Sequence, residues 1–121
     1  GNEIKEEVLP IAGEPIIGKS VNSAFIGTDL QAQLDAQGIQ KVVIAGLTTD
    51  HCVSTSTRMS GNLGYETYLI EDATATFDKK GPNGEHFPSQ LVHDLNLASL
   101  HGEFATVTKA DILIQEMELN Q

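Results

Sequence analysis

Lys41-Val42-Val43-Ile44-Ala45-Gly46-Leu47-Thr48-Thr49-Asp50-His51-Cys52-Val53 decides how this chain is read. Val42 to Ala45 is an unbroken, β-branched-rich apolar run, the pattern of a parallel strand covered on both faces. Small and polar residues follow, and Asp50 is an expected N-cap for a helix carrying Cys52, Val53, Ser56, Met59 and Leu63. Cys52 therefore falls where a parallel strand ends and a helix begins, the end at which open α/β sheets bind ligands. A helix start offers unpaired N–H groups and a partial positive charge, which favour thiolate, the nucleophilic form. The competing reading is a small buried hydrophobe, the usual fate of a lone cysteine.

Elements on either side extend the pattern. Upstream, Glu14 to Lys19 is expected as a short strand with Pro15 at its start, where a missing N–H is tolerated. Thr28 is an expected N-cap, Leu30, Leu34 and Ala36 mark a helix, and Gly38 stops it. Downstream, Gly64 ends the Cys52 helix, Glu66 to Ile70 is the next strand, and Asp72 stands at its carboxyl end. Ala73 to Phe87 is expected as a long loop with turn signals at Gly81-Pro82-Asn83-Gly84. Its Lys79, Lys80, Asn83, Glu85 and His86 make it a candidate lid or subunit contact. Leu91, Leu95 and Ala98 mark a further helix closed by Gly102, and Phe104 to Val107 a last strand. Thr108 to Asp111 resembles a capping box opening a short helix through Leu113 and Met117. Alternating strands and helices, joined by right-handed crossovers, predict a three-layer α/β/α, Rossmann-like parallel sheet with helices on both faces. The apolar run has a following neighbour but no obvious second partner, so one or more N-terminal strands are expected to be missing.

Composition narrows the function classes. The 121 residues suit one domain, 1–121, and 40% hydrophobic with 20% charged content is that of a globular chain. A net charge of −10 argues against nucleic acid or an anionic membrane as partner. A single cysteine rules out an internal disulfide framework and suits a reducing, cytoplasmic setting. No glycine-rich phosphate loop or dinucleotide fingerprint is present. His86, His93 and His101 lack metal-ligand spacing and read as surface or capping groups, so neither cofactor nor metal is expected.

Three segments in order carry a resemblance: Lys19 with Ser23-Ala24-Phe25, Thr28 and Leu30; then Gly46 to Val53; then Leu63-Gly64-Tyr65 with Leu69-Ile70 and Asp72-Ala73. Together they resemble the isochorismatase-like cysteine hydrolases, a family that includes nicotinamidases, N-carbamoylsarcosine amidases and ureidoacrylate amidases. The likeness runs from about Pro10 to Leu113 and implies an Asp-Lys-Cys triad, with Lys19 and Cys52 as its lysine and cysteine. The family's aspartate lies on a first strand upstream of the lysine, and no matching segment stands here; Asp50 and Asp72 match other family positions. The chain thus resembles the C-terminal two-thirds of a family member. The metal ligands of nicotinamidases likewise lie largely upstream.

The resemblance implies hydrolysis of a small amide or ureido C–N bond through a thioester on Cys52. Thr48, Thr49 and Cys52 would form the oxyanion-binding turn, with a cis peptide at Leu47–Thr48 or Thr48–Thr49. Phe25 reads equally as core or pocket wall. His51 is a substrate-binding candidate; neighbouring residues at a helix start point in different directions, which argues against a Cys-His dyad. Two alternatives remain: vinyl-ether hydrolysis of isochorismate, against which Cys52 counts, and a truncated, non-catalytic domain, motivated by the missing aspartate. A small-molecule substrate and a homodimer or homotetramer are the expected partners.

Overall fold

The computed structural model describes residues 3–119. After a short 3-10 turn at Glu6–Val8 the elements are α1 (Leu30–Ala36), β1 (Lys41–Leu47), α2 (Cys52–Asn62), β2 (Glu66–Ala75), β3 (Lys79–Lys80), β4 (His86–Phe87), α3 (Ser89–Leu100), β5 (Thr106–Thr108) and α4 (Ala110–Leu119). β1, β2 and β5 form one parallel sheet in that order, and β3 and β4 form a small antiparallel hairpin. The expected three-layer α/β/α arrangement is present. On β2, Leu69 points into a cluster with Val53 of α2 and Leu97 and Leu100 of α3. Its neighbour Tyr68 points the other way and meets Leu113 and Met117 of α4, because successive side chains on a strand alternate faces.

Local chemistry sets the boundaries. α2 ends at Leu63, and Gly64, with φ of 92°, reverses the chain in a left-handed conformation that a side chain would strain. Its N–H donates to Gly61 O and that of Tyr65 to Ser60 O, the paired bonds of a Schellman cap. The same pair closes α1, from Gly38 to Asp35 O and from Ile39 to Leu34 O. Gly61, inside α2, is small for a different reason: a Cβ there would stand 2.6 Å from the Phe104 carbonyl oxygen.

Several expectations are corrected. Glu14 to Lys19 forms no strand, since no neighbouring strand among the described residues pairs with its backbone. The α1 cap position is Asp29, one residue later than expected, but its side chain makes no capping bond; the Thr28 hydroxyl accepts the N–H of Leu30 at 3.4 Å and donates to Ala24 O at 2.6 Å. Among the described residues Val42 to Ala45 is not covered on both faces, since Val43 is 51% exposed, and β1 lies at one end of the sheet. β2 runs past Ile70 to Ala75 because its register with β1 slips after Ile44↔Leu69 and resumes at Gly46↔Thr74. Ile70 to Ala73 bulge out against Ala45, so Asp72 lies inside the strand instead of at its end. From there its carboxylate accepts the N–H of Ala110 at 3.0 Å, capping α4 across the sheet in place of the expected Thr108 box. The expected loop after Ala73 holds the β3–β4 hairpin, and the last strand is shifted to Thr106–Thr108.

Candidate active site

Cys52 is the first residue of α2, and Ser56 lies one turn further along the same face. Ser56 organises the segment that delivers the lysine: its hydroxyl accepts the N–H of Ala24 at 3.0 Å and donates to Asn22 O at 3.5 Å. Ser23, almost fully buried, accepts the N–H of Phe25. So tied, the irregular stretch before α1 brings Lys19 to Cys52, with Nζ 3.3 Å from Sγ and 3.0 Å from Val21 O. An ammonium at that distance favours negative charge on sulfur. Among the described residues no carboxylate pairs with Lys19.

The cysteine and lysine share a cleft of about 400 Å³ along the open edge of β1, walled by Phe25, Leu34, Ile44 and Leu47. Phe25 is half-buried and lies outside the core cluster; it lines the cleft and stacks on Tyr65 with ring centroids 6.2 Å apart. The Tyr65 hydroxyl donates to Asp35 at 2.6 Å, which ties that wall to α1.

The turn before α2 contains a cis peptide at Leu47–Thr48. Thr48 O accepts the N–H groups of His51 and Val53, and the Thr49 N–H donates to Ala75 O on β2. Thr49 is thereby removed from the possible oxyanion donors, whereas the N–H groups of Thr48 and Cys52 have no protein acceptor among the described residues. The Thr49 hydroxyl is buried against Thr74 and the imidazole of His93.

Asp50 does not cap α2, because two stronger partners claim its carboxylate. Oδ1 accepts the Thr76 hydroxyl and Oδ2 pairs with Lys79 Nζ at 2.9 Å. Burial opposes its ionisation most strongly, but the bonds from Thr76, Lys79 and its own backbone outweigh that and hold the carboxyl at about 2, below the ordinary 3.8. Lys79 also reaches His51 Nε2 at 3.1 Å. His51 is thus engaged by the hairpin and is not among the residues lining the Cys52 cleft. His86 pairs with Asp78, and His101 Nδ1 accepts the N–H of Val107. Among the described residues no cluster of His, Cys, Asp and Glu is suited to a metal ion. The contacts of His93, Lys79, Thr74 and Thr76 with this turn were not foreseen; no periodicity or motif marks them.

A parallel sheet with a cysteine at a strand-to-helix turn and a lysine at its sulfur defines a class of α/β proteins with a thiol-centred site. Residues 1–112 match the Isochorismatase domain, and the chain belongs to the isochorismatase family. The uncharacterized isochorismatase family protein YrdC of Bacillus subtilis is 53% identical over 116 residues, covering 96% of this chain and 62% of YrdC. Maleamate amidohydrolase of Pseudomonas putida is 30% identical, covering 91% of this chain and 47% of that enzyme. The crystal structure of a cysteine hydrolase from Pseudomonas syringae pv. phaseolicola superposes with a TM-score of 0.93 at 25% identity, over 98% of this chain and 56% of that one. The chain therefore spans less than two-thirds of the length of each.

Proposed function

We propose that the protein is a hydrolase that cleaves a small amide or ureido C–N bond with Cys52 as nucleophile. The observation that carries this reading is the 3.3 Å contact between Lys19 Nζ and Cys52 Sγ in an apolar cleft. The amidohydrolase named among the relatives supports a C–N substrate.

The steps follow from the chemistry. The Cys52 thiolate attacks the carbonyl carbon; a C–S bond forms and the C=O π electrons move onto oxygen. The N–H groups of Cys52 and Thr48 donate hydrogen bonds to that oxyanion. Collapse breaks the C–N bond, the amine leaves with a proton, and water cleaves the thioester to release the acid and restore the thiol. Lys19 stabilises the thiolate before it attacks and again as it departs from the hydrolysed thioester. Family resemblance gives the proton relay to an aspartate beside the lysine. Asp50 is held by Thr76 and Lys79, and Asp72 by the Ala110 N–H, so neither takes that role. Among the described residues no carboxylate pairs with Lys19. On the same reading the protein works in the cytoplasm as a homodimer or homotetramer, consistent with a free cysteine and with exposed Val8, Ile11 and Ile16.

The test is ammonia release from a panel of small carboxamides and ureido compounds. Turnover by the protein, abolished in a Cys52→Ala variant that keeps its circular dichroism spectrum, is expected. Equal turnover by that variant rejects the cysteine mechanism. Release of pyruvate from isochorismate, with no amide cleaved, favours vinyl-ether hydrolysis instead.

A further inference from the structure

The turn carrying Cys52 is braced from behind by a residue of a distant element. Thr49 is fully buried (0% exposed), with Oγ1 2.8 Å from His93 Nδ1 and 3.3 Å from Thr74 Oγ1. A hydroxyl has one proton to give and can also accept, so both contacts are satisfied when Thr49 donates to one neighbour and accepts from the other. His93 stands on α3 at i, i+4 and i+7 spacing with Leu97 and Leu100, which fill the core behind β2. That helix face is apolar at two of the three positions; the third is an imidazole, and its partner is the nucleophile turn. His93 also borders a polar cavity of about 470 Å³ with Thr74, Thr76, Ser89, Asp94 and Lys109.

We infer that His93 is a positioning residue: through the Thr49 hydroxyl it fixes the Thr48–Cys52 turn, and so keeps Sγ against Lys19. Three ties converge on this turn from β2 and α3, namely Thr49 N–H to Ala75 O, the Thr49 hydroxyl to Thr74, and the same hydroxyl to His93. Only the last joins the turn to a helix outside the β1–α2–β2 unit. Loss of that tie leaves the hydroxyl one partner short and frees the Thr49 end of the turn from α3, while the bonds of Asp50 to Thr76 and Lys79 still hold its other side.

The inference rests on Cys52 being the nucleophile, and the test separates the two. The readout is the iodoacetamide alkylation rate of Cys52 at neutral pH, with thermal melting as a control for folding. His93→Leu and Thr49→Val should each slow alkylation on the order of tenfold, the scale of a small misplacement of a reacting group. His93→Asn, whose Oδ1 stands near the place of Nδ1, should recover most of the rate. The double variant His93→Leu/Thr49→Val should be no slower than either single one, because both remove one contact. Wild-type rates in His93→Leu and Thr49→Val, multiplying losses in the double variant, or no recovery with Asn would overturn the inference. Should the Leu variant fail to fold, Thr49→Val against Thr49→Ser decides it: only Ser, which keeps the hydroxyl, should retain the rate. A wild-type protein alkylated no faster than an unstructured peptide thiol would reject the nucleophile reading instead.

Discussion

Cys52 gathers at one atom a helix start, two N–H groups without protein acceptors, and the ammonium of Lys19 at 3.3 Å. If the ammonium stabilises the thiolate, Lys19→Met, similar in length but uncharged, should alkylate at least several-fold more slowly at neutral pH and lose amide turnover. The carboxylate of Asp50 does separate work, holding the turn to β2 and the hairpin. Its folded value of about 2 lies below the ordinary 3.8, so ionised Asp50 adds stability above about pH 4 that is lost as pH falls towards 2. A gap of that size corresponds to ~2 kcal/mol. Asp50→Asn should therefore unfold at lower urea than the parent at pH 7, and the difference should shrink between pH 4 and pH 2. A constant difference across that range would place the effect elsewhere. Cys52 was legible from its place at a strand-to-helix turn, whereas Lys19 stood out only through the resemblance that its segment carries together with the later ones. The contacts of His93 and Lys79 with the turn were not legible, because no motif or periodicity marks either residue and only the folded chain brings them to it.

Among the elements, α2 is the hinge of the account, joining the nucleophile at its start to the core through Val53 and to the Lys19 segment through Ser56. Gly61 lets it approach the Phe104 backbone, where Arg58 also lies over the ring at 4.9 Å from its centroid. Gly61→Ala raises intrinsic helix propensity by up to ~1 kcal/mol, yet the backbone clash should dominate and destabilise the protein by about 1–3 kcal/mol. A melting temperature above the parent's would contradict that close approach. Asp72→Ala should cost ~1 kcal/mol by uncapping α4, read as a lowered urea midpoint. The helix stops at Gly38 and Gly64 were legible because a C-terminal cap is written in a few adjacent residues. The strand expected at Glu14–Lys19 was not secure for the opposite reason: a strand exists only with a neighbour, and pairing is not a local property. The β2 bulge, which moves Asp72 off the strand end, belongs to the same non-local class.

At the scale of the whole molecule, the three-layer plan followed from the alternation of apolar runs and amphipathic stretches. Among the described residues β1 has one hydrogen-bonded neighbour, β2. β1 exposes Val43 at 51% and Leu47 at 65%, and the cleft holding Cys52 opens along that same edge. No helix among the described residues is long and apolar enough to cross a membrane. The family is established by residues 1–112, and the chain spans 62% of the length of YrdC. The most direct test of the central claim is acid quenching of the protein during turnover of a cleaved carboxamide, followed by peptide mass mapping. The substrate's acyl group is expected on the peptide containing Cys52, and is lost on treatment with hydroxylamine. Steady turnover with Cys52 unmodified throughout, and undiminished by its prior alkylation, would contradict it.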